Sequence, residues 1–561
     1  MRKIKHLYTK EGEALKGNEY DIYPRPQLKR DSFYSLNGKW LLTYGNGEKI
    51  YIKVPYPPES ILSGVFKDMG KDPCITYTRE FILPRDFIKD RVILNFGAVD
   101  QMCTVYINDI NVGKNVGGYN HFSFDITSHL KEVNTIKVVV RDNLSSKNLP
   151  YGKQTYKPGG MWYTPISGIW QSVWLESVPK EYVKALRIEA NKNGAKIYFT
   201  GILQGDLVLQ TPNGKKRFNI ENGICNIALD NPRLWSPSDP YLYYFTVKAG
   251  QDKIESYFAI RTLDIKIIDT YPRLCLNGEP FFFHAVLDQG YFSDGIFTPA
   301  TPSLYEQDIL RMKELGFNTL RKHIKVEPDW FYYYCDLHGM IVFQDFVNNG
   351  SYSFVRDTAL PTVLTKKFPE KLMVRTKAQR EWFIDGLKRT IKQLYNHPCI
   401  CYWTIFNEGW GQFDSDEVYD LVKKLDSTRF IDSTSGWFKG KKSDVESLHI
   451  YFKRVKLKKS EKPIVLSEFG GYSYKVQSHC ANDKKTYGYK LYESKDELIA
   501  GISKLYLEEI VPNIEKGLCA SVYTQLSDVE DETNGLLTYD RKKLKVDKEV
   551  MLEIASQLKI K

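Results

Sequence analysis

The sequence predicts a multidomain β plus α/β protein in which two antiparallel β-sandwiches precede a C-terminal (β/α)8 TIM barrel. Three observations carry that expectation. The chain has 561 residues, more than one ordinary core organises, so two to four domains are expected. Up to about residue 264, short alternating runs are punctuated by turn residues, the cadence of antiparallel sandwiches. Beyond about residue 265, apolar strand runs alternate with amphipathic stretches, the cadence of β/α repeats.

The first sandwich is expected from runs at 39–44, 92–96, 103–107 and 135–140. A Tyr-, Gly- and Pro-rich segment over 149–160 comes next, and a loop of that length without structure of its own is often functional. A smaller block over 181–264, with runs at 196–200, 206–210 and 242–247, has enough strands for an immunoglobulin-like sandwich. The barrel strands are expected at 281–286, 318–321, 340–343, 400–406, 430–433, 447–451, 464–467 and 520–525. Helices are expected at 304–315, 329–337, 378–394, 417–425 and 495–510, where apolar residues recur at three and four spacing. Eight repeats suit a closed barrel better than an open sheet, and the lack of a Gly-x-Gly-x-x-Gly after any strand argues against a dinucleotide fold.

Bulk properties narrow the function. The net charge of +11 comes from short basic stretches with no nucleic-acid module around them, which makes a solvated face the expectation and nucleic acid an excluded partner. Nine scattered cysteines lack zinc spacing and are expected to be reduced thiols. The N-terminus has no apolar core of signal-peptide length and no 18-residue apolar run occurs, so a soluble, cytoplasmic protein without membrane contact is expected. Aromatic residues make up 14%, which suits the stacking of sugar rings as well as the filling of cores.

The chemistry concentrates at two strand ends. The apolar run from Cys401 ends in Asn407-Glu408 and a glycine turn, and 60 residues later another apolar run ends in Glu468 and Gly470-Gly471. Burying a carboxylate at the carboxyl end of a strand is costly, and in a barrel that end is where reactions occur. Strands four and seven lie across the mouth from one another, so the two acids can converge on one ligand. Paired carboxylates about 5 to 5.5 Å apart cleave glycosidic bonds with retention, one as acid and one as nucleophile. An ionised Glu468 would also hold a proton on Glu408. The alternative for each acid is to cap the following helix, a task for which, in the case of Glu408, Asp414 and Asp416 are better placed.

Other polar groups stand at strand ends: Asp288 after the first, Arg321 and His323 after the second, Asp345 after the third, and His449 and Tyr451 in the sixth. Arg321 is suited to holding a carboxylate ionised and Tyr451 to donating to it. The Asn407 amide suits a sugar hydroxyl, and Trp410, Trp437 and Tyr523 offer faces for a pyranose ring.

These motifs resemble glycoside hydrolase family 2, the group of β-galactosidases, β-glucuronidases and β-mannosidases. The run from Tyr163 to Glu176 resembles the family's hallmark near the end of its sugar-binding domain, Gly316-Phe-Asn-Thr-Leu-Arg321 its second barrel strand, Asn407-Glu408 its acid/base motif and Ser467-Glu468-Phe469-Gly470 its nucleophile motif. The resemblance implies a jelly-roll domain over 1–180, an immunoglobulin-like domain over 181–264 and the catalytic barrel over 265–561. It further implies retention through a covalent glycosyl-enzyme, with Glu468 attacking and Glu408 serving as acid and then base. Three departures bear on the sugar. Asn534-Gly-Leu536 lacks the lysine by which family glucuronidases hold a sugar carboxylate, the stretch after the third strand lacks the histidine of a magnesium site, and the residues after Arg321 differ from the common pattern around His323. The sequence also ends soon after the barrel, so the extra C-terminal domains of the large galactosidases are expected to be missing.

The expectation is therefore a retaining exo-β-glycosidase acting on a β-galactoside or related terminal sugar of a small carbohydrate substrate, without cofactor or metal. A homo-oligomer is compatible with it, and loop 149–160 is a candidate to reach its own or a neighbouring site. The alternatives are a β-glucuronidase or β-galacturonidase of the same family, and a non-catalytic carbohydrate-binding protein on a hydrolase scaffold.

Overall fold

In the computed structural model of the protein, residues 5, 7–359, 370, 375–438 and 440–560 are described. The first sandwich packs a four-stranded antiparallel sheet against a six-stranded one, with strands from Tyr34–Ser35 to Val173–Val178. Alternation makes it. Strand Asn134–Arg141 buries every other residue, and its Ile136, Val138 and Val140 join Trp40, Leu42, Leu94 and Val105 in the core between the sheets. The second sandwich sets the three strands Ala185–Asn191, Gly194–Thr200 and Ile224–Ala228 against a four-stranded sheet that ends at Asp252–Phe258.

A short antiparallel meander, Leu263–Ile268, Tyr271–Leu276 and Glu279–Pro280, comes before the barrel. Its Arg273 donates 3.1 Å to the carbonyl of Leu518, at the start of the last barrel strand, so the meander covers the amino-terminal end of the barrel. All nine cysteines are free, and eight of them are buried. Among the described residues no helix is long and apolar enough to cross a membrane.

The barrel strands are β1 (Phe283–Asp288), β2 (Thr319–Lys322), β3 (Ile341–Asp345), β4 (Ile400–Asn407), β5 (Phe430–Ser435), β6 (Glu446–Ile450), β7 (Ile464–Gly470) and β8 (Leu518–Thr524). They are parallel and hydrogen bond in the order β5-β4-β3-β2-β1-β8-β7-β6. Helices α1 (Ser303–Glu314), α2 (Asp329–His338), α3 (Lys377–Leu394), α4 (Ser415–Leu425), α5 (Lys495–Leu505) and α6 (Lys548–Gln557) accompany them. Strands covered on both faces need continuous apolar runs, and β1, β3, β4 and β8 are buried throughout. Phe283 points inward and meets Phe343 of β3 and Phe430 of β5, with centroids 5.4 and 6.4 Å away. The helix expected over 495–510 keeps its α geometry only to Leu505, and residues Tyr506–Ile510 widen to a π turn ahead of Pro512.

A register irregularity shapes the mouth of the barrel. Between β6 and β7, Leu448 pairs with Leu466 but His449 pairs with Glu468, and the β7–β8 ladder also shifts between Leu466 and Phe469. Ser467 is thus an extra residue against both neighbours. Such bulges bend a strand and re-aim side chains, commonly beside active sites.

Candidate active site

Glu408 follows directly on β4. Its φ of 53° lies in the left-handed region, a strained placement for a residue with a Cβ, and Gly409 continues the turn with φ 71°. A Cβ on Gly409 would come within 2.2 Å of the Phe438 ring, so the turn requires glycine both for its backbone and for space. The bend aims the Glu408 carboxylate into the barrel mouth, where His449 Nδ1 lies 2.9 Å from its Oε1 and the same nitrogen 3.6 Å from Glu468 Oε2. Glu408 does not cap the next helix. Asp414 holds the N-cap position of α4, yet its carboxylate pairs with Arg380, and it is Glu370 that accepts from the Ser415 amide at 3.0 Å.

Arg321, only 1% exposed, organises the floor. Its Nε and Nη2 grip the two oxygens of Asp345, each at 3.0 Å, and its Nη1 donates to Glu468 Oε1 and to the Ser467 carbonyl, each at 2.9 Å. Its Nη2 also reaches Asn407 Oδ1 at 2.9 Å and Ser435 Oγ at 3.2 Å. Asn407 therefore presents its amide nitrogen to the site, because its carbonyl oxygen is held by Arg321 and by Ser435 Oγ at 2.9 Å. His323 Nδ1 stands 2.8 Å from Asp345 Oδ2.

Burial on its own would raise the Glu468 carboxyl, but the charges of His449, Arg321 and His323 and the bond from Tyr451 outweigh it and hold that carboxyl well below the usual range. Tyr451 Oη donates to Glu468 Oε2 at 2.5 Å and lies 3.0 Å from Thr524 Oγ1. Its ring stacks on Tyr489 with centroids 3.7 Å apart, which fixes the hydroxyl in place. Tyr451→Phe keeps that stack and loses only the charge-assisted bond, worth about 1.5–3 kcal/mol. A fall in kcat of about 10- to 100-fold is expected in steady-state assays, with thermal stability nearly unchanged.

Two residues expected at the site face elsewhere, each because the strand parity is off by one. Ala285, Leu287 and Val522 form an inward cluster of β1 and β8, so their neighbours Asp288 and Tyr523 point to the helix layer. Asp288 pairs with Lys322 Nζ at 2.5 Å, and that ammonium sits over Phe331 of α2. Tyr523 packs on Phe469 and Tyr506, and Thr524 takes the position at the mouth. Trp410 is also packing: it is buried against Tyr151 and Trp162, with its indole nitrogen 3.0 Å from the Gly350 carbonyl. Trp437 is half-buried with its ring edge-on to His449, at the rim. Sequence reasoning missed Ser435 and Thr524, whose only signal is their place as the last residues of β5 and β8.

One ligand atom from each of Glu408, His449 and Glu468 lies within 4.8 Å of the other two, the set that could hold a metal ion among the described residues. The Arg321 guanidinium already supplies a cationic partner to Glu468, and that opposes a divalent ion there. The same closeness sets an oxygen of each carboxylate within 4.8 Å of the other, short of the wider gap of about 6.5 to 9.5 Å that inversion needs.

Two sandwiches thus precede a barrel whose mouth holds a buried pair of strand-end glutamates. Residues 21–179 match the sugar binding domain of glycosyl hydrolases family 2, residues 183–261 a further domain of that family, and residues 270–483 its TIM barrel domain. The chain belongs to glycosyl hydrolases family 2. Among curated proteins it is 24% identical over 428 residues to a β-galactosidase of Thermoanaerobacter pseudethanolicus, covering 70% of this chain and 53% of that protein. It is also 24% identical over 454 residues to a β-glucuronidase of Bacteroides fragilis, covering 70% of this chain and 61% of that protein. The chain thus spans about half the length of the curated relatives it matches. A solved β-D-glucuronidase of Dictyoglomus thermophilum shares the fold with a TM-score of 0.75 at 18% identity, over 96% of this chain and 98% of that one. A β-galacturonidase of Eisenbergiella tayi bound to galacturonate does so with a TM-score of 0.68 at 17% identity, over 95% and 99%.

Proposed function

We propose that the protein is a retaining exo-β-glycosidase in which Glu468 is the nucleophile and Glu408 the acid and then the base. The observation that carries this assignment is the asymmetry of the pair. Arg321 and Tyr451 each bond to Glu468, one to each oxygen, and both favour its ionised form, whereas the sole side-chain partner of Glu408 among the described residues is His449. An ionised, immobilised carboxylate is suited to attack the anomeric carbon, and a carboxyl at the opposite side of the mouth is suited to pass a proton to the leaving oxygen. Attack expels the protonated aglycone and leaves an α-linked glycosyl ester on Glu468. Glu408 then takes a proton from water as that water attacks from the β face, which regenerates both groups.

Azide separates the roles by stereochemistry. With activated β-glycosides, Glu408→Ala is expected to accumulate the ester, to lose about 10²- to 10⁴-fold in turnover and to recover with azide, giving a β-glycosyl azide. An α-azide would place the nucleophile at Glu408 and reverse the assignment. A parent protein inert on every β-glycoside offered would favour the carbohydrate-binding alternative. The neutral β-galactoside favoured by the sequence and a β-uronide fit this chemistry equally, and the curated relatives named for the two sugars are equally similar to the chain. One unpaired ammonium favours the uronide.

A further inference from the structure

Four lysines are buried among the described residues: Lys153, Lys322, Lys325 and Lys545. Three have carboxylates. Lys322 pairs with Asp288 and Glu327, at 2.5 and 3.0 Å, Lys325 with Glu327 at 2.9 Å, and Lys545 with Asp528 at 2.7 Å. Lys153 is 7% exposed, and among the described residues no carboxylate lies within 4 Å of its ammonium and no oxygen accepts from it. The ammonium lies over the Trp162 ring, with the centroid 5.5 Å away. The Lys153 stem is packed, while the ammonium itself keeps contact with solvent and has no anion among the described residues, so a ligand that brings a carboxylate meets a positioned, unpaired cation.

Lys153 belongs to the loop over 149–160, and that loop docks on its own barrel. The amides of Tyr151 and Gly152 donate to the Asn348 carbonyl, at 3.0 and 3.3 Å, and Tyr151 Oη donates to the Gly350 carbonyl at 2.8 Å. Gly152 has φ 66°, and a Cβ there would stand 2.9 Å from the carbonyl of Ile324, the residue after His323. Trp162 meets Trp410, two residues beyond Glu408, at 4.9 Å, and Tyr163 donates to Glu532 after β8. The Tyr163 amide donates to the Lys153 carbonyl at 3.0 Å, so Lys153 is held between Gly152, which abuts the stretch after β2, and Tyr163, which bonds to Glu532 after β8.

The position from which the family's lysine would come cannot serve. Leu536 is buried, and Asn534 spends its amide on Glu532 at 3.0 Å and its carbonyl on Gln525 at 2.9 Å. Resting on the retaining-glycosidase assignment above, we propose that Lys153 of the N-terminal domain binds the carboxylate of a terminal β-linked hexuronic acid, so that the cation selecting the sugar comes from outside the barrel. The Trp162 face beside it restricts the ammonium and excludes water, which strengthens the pair.

The test compares the parent protein with Lys153→Met and Lys153→Arg on 4-nitrophenyl β-D-glucuronide, β-D-galacturonide and β-D-galactoside. The parent is expected to prefer at least one uronide, and Lys153→Met to lower the uronide-to-galactoside ratio of kcat/KM by about 100-fold, the scale of losing one partner of a buried charge pair. Lys153→Arg is expected to restore part of that ratio. A ratio unchanged within about threefold, or a parent that cleaves the galactoside and neither uronide, overturns the inference while leaving the glycosidase assignment intact. Calorimetry with free glucuronate, galacturonate and galactose on the inert Glu468→Gln protein gives a readout independent of turnover. Uronate binding that does not weaken with the added Lys153→Met also overturns it.

Discussion

Glu468→Gln is expected to lower kcat/KM on any substrate the protein cleaves by about 10⁴- to 10⁶-fold, the scale of losing a covalent nucleophile. The substitution is nearly isosteric, the amide oxygen can still accept from Arg321, and Tyr451, which loses its acceptor, keeps Thr524 Oγ1 at 3.0 Å, so folding should change little. A complementary observation uses the parent protein with a 2-deoxy-2-fluoro β-glycoside, which slows breakdown of the ester more than its formation. Peptide mapping should then find the added sugar on Glu468. A label on Glu408, or a Glu468→Gln protein that retains a tenth of the activity, would be incompatible with the assignment.

Arg321→Met is expected to have the next largest effect, because one side chain serves five partners, the Ser467 carbonyl among them. Asp345 and Glu468 lose their buried cation and Asn407 and Ser435 lose a donor. Breaking buried pairs in this way costs about 3–5 kcal/mol, which a urea titration of the barrel's unfolding should detect. The pH dependence has a definite sign. Burial raises the carboxyls of both Asp345 and Glu468, and Arg321 is among the charges that pull them below their ordinary values. A lowered native value contributes stability that is present above the unfolded value, near about 4, and is lost as pH falls through the native one. The stability gap between parent and variant should therefore be widest at neutral pH and narrow below about pH 4. In kcat/KM profiles the acidic limb should move upward in Arg321→Met, since burial then acts on Glu468 with less to oppose it. An acidic limb that stays in place would separate Arg321 from the ionisation of Glu468.

Much of this site was legible in the sequence because it sits where strands end. Glu408, Glu468, Arg321, Asp345 and His449 all follow or close apolar runs, and a barrel gathers such ends on one face. What alternation decides within a strand was less legible. Asp288 and Tyr523 were each one residue from a position facing the mouth, and an apolar run buried on both sides carries no periodic mark of which residues point inward. The bulge at Ser467 left no mark either, since an extra residue in a ladder depends on its neighbours. Lys153 was hidden for another reason: its importance lies in lacking an anion, and only the packed structure shows which charges are paired.

The irregularity at Ser467 also bears on how the chain tolerates change in length. Leu466 and Phe469 each keep partners on β8, yet two residues of β7 stand between them where β8 has only Val522. Against β6 the strand carries one surplus place, immediately before Glu468, while against β8 it is balanced by Cys519, which stands unmatched between the partners of Ile464 and Val465. Loss of Ser467 would leave the Leu448–Leu466 and His449–Glu468 pairs in phase and keep Glu468 and Phe469 on their present faces, but it would straighten the bend that aims the carboxylate. Substitution at 467 is thus a matter of fitting a hydroxyl-sized side chain, while deletion is a matter of the local bend ahead of Glu468.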